Sequence, residues 1–284
     1  MNKALNGGKP SLFAGIVSLA LALAGSAVLA AAPAQKNEPR ALADILKKAA
    51  EYCRKLESAS LYYVCEEEIS EKLYVETRPA TGTASVLERR FNTWTYDYQL
   101  IRSGPTVDER RKLLKKNGKT MDAPDAQLET RRFSHKFVVF GPVGLLSARS
   151  QGGFLYELIK EERLNRVRAY VVDVKPGAST PPNALYGRVW LKADDASVLK
   201  IEWDQRSMEN FPEIERTAAG MDREPRILFI SEYAFEKRGL RFPSRYTVQE
   251  NYIKRNVSIP EILSATTVLY KNYRFFTVEV DVKD

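Results

Sequence analysis

The sequence predicts a mainly β protein of the α+β class, in which one large curved antiparallel sheet wraps over an N-terminal helix and one or two further helices. Three observations support this prediction: an early segment with apolar residues at helical spacing, about ten later segments that alternate apolar and polar residues, and short turn sequences between most of them. Strands joined by short turns pair antiparallel, and strands longer than ten residues must twist when they share one sheet.

The first 34 of the 284 residues have the pattern of a secretion signal. Lys3 and Lys9 precede an apolar run over residues 12–24, and small residues fill positions 25–34, as they do before a signal-peptidase site. We expect cleavage at or a few residues before Ala34, export to the periplasm or beyond, and a single domain over residues 35–284. A retained membrane anchor is the alternative interpretation of the apolar run.

The chain is basic, with a formal net charge of +8, but its Lys and Arg residues are interleaved with Glu and Asp. Interleaved charges are typical of solvated faces, although a basic protein can also contact an anionic membrane surface transiently. Nucleic acid is not an expected partner of an exported protein. No apolar run after residue 34 is long enough to span a bilayer.

Residues 40–57 predict the first helix, which follows an Asn-Glu-Pro start. Its apolar stripe consists of Leu42, Ile45, Leu46, Ala49, Cys53 and Leu56. The next segment alternates as a strand, and its apolar face carries Leu61, Tyr63, Cys65, Ile69 and Leu73. Both cysteines therefore fall on buried faces in an oxidising compartment, and we predict a disulfide between Cys53 and Cys65. A redox or metal site is the alternative, but there is no C-x-x-C motif.

Further strands are predicted by alternation between turn residues, over residues 87–102, 107–116, 131–140, 155–162, 168–175, 226–237, 241–254 and 263–284. The Pro-rich stretch 176–183 predicts a surface loop. A second helix is predicted to start near Pro212 and to end near Gly220.

The stretch YGRVWLKADDASVLKIEWD, residues 186–204, predicts a hairpin with its turn at Asp194 to Ser197. Counting by twos places one apolar set on a single face: Val189, Leu191, Leu199, Ile201 and Trp203. The other face carries Arg188, Lys192, Lys200 and Glu202. The apolar face must therefore meet another sheet, a helix or a bound apolar molecule.

This hairpin, the second hairpin FEKRGLRFPSRYTV and the preceding amphipathic helix resemble the outer-membrane lipoprotein carrier superfamily. That superfamily includes the periplasmic regulator of the envelope-stress sigma factor. The resemblance implies an incomplete antiparallel barrel that wraps over helices and encloses an apolar cavity for acyl chains. It also implies a lipid or an acylated lipoprotein as the partner, with an envelope protein as the alternative partner.

Two groups of residues are candidates for the site. The candidate ligand-binding residues lie on the apolar faces of the two hairpins: Val189, Leu191, Leu199, Ile201, Trp203, Phe242, Tyr246 and Val248. A filled core is the alternative role for each of them. The unusual segment VVFGPVGLLS predicts a lid over the cavity mouth through Phe140, Val143, Leu145 and Leu146, or else a strand end followed by a short buried helix.

The sequence gives little support for catalysis, for a cofactor or for a metal. His135 is the only histidine, and its strand-like surroundings beside a lysine indicate a surface imidazole. The run Glu66-Glu67-Glu68 does not converge on one site, because neighbours on a strand point to opposite faces. We therefore expect a noncatalytic exported protein that binds a lipid or a lipoprotein acyl chain. A protein-binding regulatory domain is the main alternative, and a hydrolase with an unrecognised site is a third.

Overall fold

The computed structural model describes residues 39–77, 86–254 and 261–276, so the predicted signal sequence lies outside the described residues. The helices are α1 (Pro39–Ala59), α2 (Gly141–Leu146), α3 (Ala148–Gln151) and α4 (Phe211–Gly220), with 3₁₀ turns at Val138–Phe140 and Gln205–Ser207. In these three ranges no helix has the length and apolar character needed to cross a membrane.

Thirteen strands lie within the described ranges, and the predicted mainly β class is confirmed. They are β1 (Tyr63–Thr77), β2 (Val86–Ser103), β3 (Thr106–Lys116), β4 (Lys119–Ala123), β5 (Phe154–Leu164), β6 (Val167–Pro176), β7 (Gly187–Lys192), β8 (Val198–Trp203), β9 (Arg223–Glu232), β10 (Phe235–Lys237), β11 (Leu240–Phe242), β12 (Arg245–Lys254) and β13 (Glu261–Phe275). Eleven of these strands form one antiparallel sheet in the order β4-β3-β2-β1-β13-β12-β9-β8-β7-β6-β5, while β10 and β11 pair with each other.

The sheet consists of two meanders that the last strands join. Strands β1 to β4 form one meander and β5 to β9 the other, and β13 lies between β1 and β12. The chain leaves the first meander at one edge of the sheet and re-enters at the opposite edge. Residues 124–153 make this crossover, which is long, whereas short turns join most of the other consecutive strands.

One face of the sheet, which we call the inner face, carries the main core. That core includes Leu113 of β3 and Val174 of β6, which belong to strands near opposite edges of the sheet, and it also includes Ala49 of α1 and Leu146 of α2. A flat sheet of eleven strands could not bring its two ends into one contiguous core, because neighbouring strands lie about 4.8 Å apart. The sheet is therefore curved around α1 and α2.

Helix α1 has the predicted apolar stripe, but the predicted disulfide is absent. Cys53 and Cys65 are free, buried thiols. The Sγ atom of Cys53 lies 3.4 Å from the carbonyl oxygen of Pro142, so this thiol faces α2. Burial raises the pKa of the Cys53 thiol to about 12 and raises the pKa of Cys65 as well, and both therefore remain protonated at neutral pH.

The hairpin of β7 and β8 forms as predicted, except that a β-bulge displaces one residue. Trp190 pairs with Lys200 and Leu191 pairs with Val198, so Leu199 has no partner on β7. Leu199 packs with Trp190 in a small separate cluster on the outer face of the sheet. Its predicted place beside Ile201 is wrong, because counting by twos does not allow for the extra residue of a bulge.

Gly141 begins α2 at a point of close contact with the sheet. A Cβ atom at this position would lie 2.7 Å from Tyr233 Oη and 3.0 Å from Trp203 Cζ2. Tyr233 is fully buried and its hydroxyl donates a 2.8 Å hydrogen bond to the Val138 carbonyl, so it cannot move without losing that bond. Only glycine lets α2 approach the sheet this closely.

We predict that Gly141→Ala lowers the free energy of unfolding by about 1–3 kcal/mol, the cost of overpacking a tight contact. The matched control is Gly144→Ala in the same helix, where an added Cβ would meet nothing within 4 Å. The control should be as stable as the parent or about 0.5–1 kcal/mol more stable, because alanine favours helix. Urea unfolding measures both, and equal stability of the two variants would contradict the close contact.

Candidate ligand cavity

An irregular segment of the crossover, residues 131–137, lies against the inner face of the sheet; we call it the arm. The predicted strand over residues 131–140 is therefore wrong. The hydrogen-bonding groups of the arm meet four glutamates on the inner face rather than a neighbouring strand: Glu67 and Glu71 of β1, Glu109 of β3 and Glu250 of β12. These carboxylates determine where the arm lies.

Glu67 is at the centre of a buried charge cluster. Arg111 donates to it from Nε at 2.6 Å and from Nη2 at 3.2 Å, and His135 Nε2 lies 2.8 Å from Glu67 Oε1. Burial alone would raise the pKa of Glu67, but the charges and hydrogen bonds of His135 and Arg111 lower it to about 2. Glu67 therefore stays ionised, and it holds His135 of the arm to the sheet.

Glu109 fixes the end of the arm. Its Oε1 accepts a 2.6 Å hydrogen bond from the backbone N–H of Phe137 and a 2.8 Å bond from Tyr98 Oη, and its Oε2 accepts from Arg111 at 3.1 Å. Phe137 has a φ of +51°, in the left-handed region that a bulky side chain rarely adopts. The hydrogen bond to Glu109 helps hold this strained residue, where the chain turns from the arm into the 3₁₀ turn that leads to α2.

Glu71 and Glu250 fix the start of the arm. Glu71 Oε1 accepts from the backbone N–H groups of Arg131 at 2.8 Å and Arg132 at 3.1 Å. The Arg132 guanidinium forms a two-pronged ion pair with Glu250, at 2.7 and 2.6 Å, and Tyr252 Oη also donates to that carboxylate. Burial acts to raise the pKa of Glu250. The hydrogen bonds with Arg132 and Tyr252 outweigh burial, so the pKa of Glu250 lies below its usual value.

A cavity of about 500 Å³ lies between the arm, α2 and the sheet, and it is partly open to solvent. The sheet side of the cavity consists of Trp203, Phe229, Ser231 and Tyr246. The arm, the 3₁₀ turn and α2 contribute Arg132, Phe133, Ser134, His135, Lys136, Phe137, Val138, Phe140, Gly141, Gly144 and Leu145. The remaining wall is Ala184, Leu185, Met208, Glu209 and Asn210. The volume is within the range of about 300–1,000 Å³ that is typical of small-molecule sites.

The structure brings four of the predicted site residues to this cavity: Trp203 and Tyr246 from the sheet, and Phe140 and Leu145 from the predicted lid. The other members of both groups lie in the core or, for Leu199, on the outer face. Those in the core are fully or almost fully buried: Val189, Leu191, Ile201, Phe242, Val248, Val143 and Leu146. The segment that was predicted to be a lid forms a 3₁₀ turn followed by the short helix α2. Because successive side chains of a helix point in different directions, only one side of this segment faces the cavity.

His135 was predicted to be a surface imidazole, and this prediction is wrong. It is 3% exposed, it lines the cavity, and its ring lies 5.3 Å from that of Tyr246. The alternation of β1 contained the signal for this arrangement, since Glu67 and Glu71 share the face of Cys65 and Ile69. Two carboxylates on an apolar strand face require cationic or N–H partners, and the basic arm supplies them.

The geometry of His135 supports an anchoring role. Its Nε2 is engaged by Glu67, and its buried Nδ1 has no hydrogen-bond partner among the described residues. What the His135–Glu67 contact does in this structure is attach the arm to the sheet.

Several solved structures are similar to this chain. A DUF1329 family protein from Desulfovibrio piger matches with 11% identity and a TM-score of 0.34, over 84% of this chain and 95% of that one. A LolA superfamily protein from Nitrosomonas europaea matches with 13% identity and a TM-score of 0.31, over 84% and 94%. The MucA/MucB complex of Pseudomonas aeruginosa matches with 12% identity and a TM-score of 0.22, over 81% and 99%.

The lipoprotein carrier superfamily that the two hairpins resemble is thus represented among the matching structures. The identities make this a likeness of fold only. Neither the protein-family models nor the curated proteins give a match to this chain.

We predict that Glu67→Gln lowers the free energy of unfolding by about 3–5 kcal/mol, because it removes the carboxylate that neutralises the buried Arg111 guanidinium. The neighbouring Glu68 provides the control, since it is partly exposed and its ion pair with Lys271 is on the surface. Glu68→Gln should change the stability by less than about 1 kcal/mol. Chemical unfolding at neutral pH measures both variants. Similar losses of stability would show that the buried Glu67 cluster stabilises the fold no more than a surface ion pair does.

The acid dependence of stability tests the same cluster. Since the pKa of Glu67 is lowered from 4.5 to about 2, its stabilising contribution is complete above pH 4.5 and is lost as the pH falls through about 2. Within this window the parent protein should lose stability faster than Glu67→Gln, by at most about 1.4 kcal/mol per pH unit for one proton. Urea unfolding at several pH values between 5 and 2 makes the comparison, and parallel curves would contradict the lowered pKa.

Proposed function

We propose that this chain is an exported, noncatalytic protein that binds the apolar chain of a lipid, or of an acylated lipoprotein, in the cavity between the arm and the sheet. The observation that carries the proposal is the cavity itself. Trp203, Phe229, Tyr246, Phe140 and Leu145 give it a mainly apolar lining, whereas most of the other apolar residues of the two hairpins are buried in the core. The pattern of the first 34 residues supports export of a single domain over residues 35–284.

Binding at this cavity is an equilibrium process. Each methylene group that leaves water for the apolar wall stabilises the complex by about 0.8 kcal/mol, and no covalent step is needed. The wall is held in place before binding, because buried carboxylates fix both ends of the arm and the Gly141 contact fixes α2. A preformed site loses little conformational entropy when the ligand enters.

Native mass spectrometry of the protein purified from the exported fraction, followed by organic extraction, tests the proposal. We expect a copurifying amphiphile at near-stoichiometric amount, or displacement of an apolar fluorescent probe by fatty acids. The absence of both would contradict lipid binding and would favour a domain that binds a protein partner on the same scaffold.

A substitution in the cavity wall tests whether the probe binds in this cavity. Gly144 lines the cavity, and the space around an added Cβ is empty to 4 Å, so Gly144→Leu should reduce affinity for the probe about tenfold by occupying part of the volume. Gly220→Leu is the control, because Gly220 ends α4 outside the cavity and an added Cβ there also meets nothing within 4 Å. An equal effect of the two substitutions on probe binding would exclude this cavity as the site.

A further inference from the structure

Besides the tyrosine Tyr246, the ionisable residues that line the cavity are Arg132, His135, Lys136 and Glu209. The partners of the first two are carboxylates that do not line it, since Arg132 pairs with Glu250 and His135 with Glu67, and these glutamates are 2% and 0% exposed. Within the described ranges, Lys136 and Glu209 have no ion-pair partner. Among the described residues of the lining, Lys136 and Glu209 are therefore the two whose charges no ion pair neutralises.

Lys136 combines a fixed backbone with a free side chain. It lies between His135, which Glu67 holds at 2.8 Å, and Phe137, whose N–H is held by Glu109 at 2.6 Å. Its own side chain is exposed at the partly open side of the cavity, whereas its two neighbours face inward. The ammonium group can therefore reach a ligand at the rim, and its alkyl stem can lie along the apolar wall.

An amphiphile with its chain inside the cavity places its head group at this rim. Resting on the proposed function, we propose that the ligand is an anionic amphiphile, with a carboxylate or phosphate head bound by the ammonium group of Lys136. Arg132 lies on the same wall, but Glu250 neutralises its guanidinium, so Lys136 supplies the unpaired positive charge among the described residues of the lining. Glu209, the one carboxylate among the described residues of the lining, repels an anionic head that approaches it.

Four ligands with the same dodecyl chain and different head groups show how much the head group contributes to affinity: dodecanoate, dodecyl phosphate, dodecanol and dodecylamine. Each displaces an apolar fluorescent probe from the purified full-length mature protein at neutral pH, below the concentration at which it forms micelles. We expect the two anions to bind about threefold to tenfold more tightly than the alcohol, the range expected for one exposed ion pair with a charge-assisted hydrogen bond. High salt should reduce this preference.

Three variants test whether Lys136 is responsible for the preference for anionic ligands. Lys136→Met should remove the preference of the parent protein for the two anions over dodecanol, whereas Glu209→Gln should strengthen anion binding. Lys237→Met is the control, since Lys237 is an exposed lysine on β10 outside the cavity lining. Circular dichroism and urea unfolding establish that all three variants are folded before binding is compared.

The outcomes are distinct. Equal binding of all four ligands would overturn the proposed preference for an anionic head group. It would leave the proposed function, binding of lipid chains in the apolar cavity, intact. A preference for dodecylamine that Glu209→Gln removes overturns it in favour of a cationic head. A preference for anions that survives Lys136→Met overturns the assignment to this lysine. Binding of none of the four would contradict the proposed function itself.

Discussion

The structure depends on buried carboxylates that face a mainly apolar core. Glu67, Glu71 and Glu250 are on the inner face of the sheet at 0–2% exposure, where an unpaired charge would cost several kcal/mol. The backbone and side chains of the arm donate to all three carboxylates, and Arg111, Tyr252 and Ser264 supply further hydrogen bonds from the sheet. The position of an otherwise irregular segment therefore follows from electrostatics, since it forms no ladder with any strand.

The cavity is a consequence of the same constraint. On one side of the molecule α1 and an aromatic cluster around Phe242 fill the hollow of the sheet, with the Tyr63 and Phe242 rings 5.3 Å apart. On the other side the arm is held by polar contacts at its two ends, and α2 touches the sheet at Gly141. The space that remains beside Trp203 and Tyr246 is lined by apolar side chains but not filled by them, and this is the space in which we propose that an apolar chain binds.

The sequence predicted the elements whose periodicity is regular and missed those that depend on distant partners. Helix α1, helix α4 and most strands follow from local alternation and turn residues. Leu199 could not be placed, because a bulge is a property of two paired strands. The arm alternates like a strand in FSHKFVVF, yet its donors meet Glu67, Glu109 and Glu250 from three separate strands, and no local pattern contains that information. For the site, Trp203, Tyr246, Phe140 and Leu145 lie at the cavity, and their contact with a ligand stays a prediction, whereas the remaining candidates lie in the filled core or, like Leu199, on the outer face.

Amide hydrogen exchange at the arm is the most direct measurement of the central claim. The backbone N–H groups of Arg131, Arg132 and Phe137 donate to buried carboxylates, although they belong to no helix or strand. If the buried glutamates fix the arm, these three amides exchange slowly, with protection close to that of the neighbouring strands β1 and β12. Exchange at the rate of an unstructured peptide would show that the arm is not held, and the cavity that it encloses would then have no fixed wall.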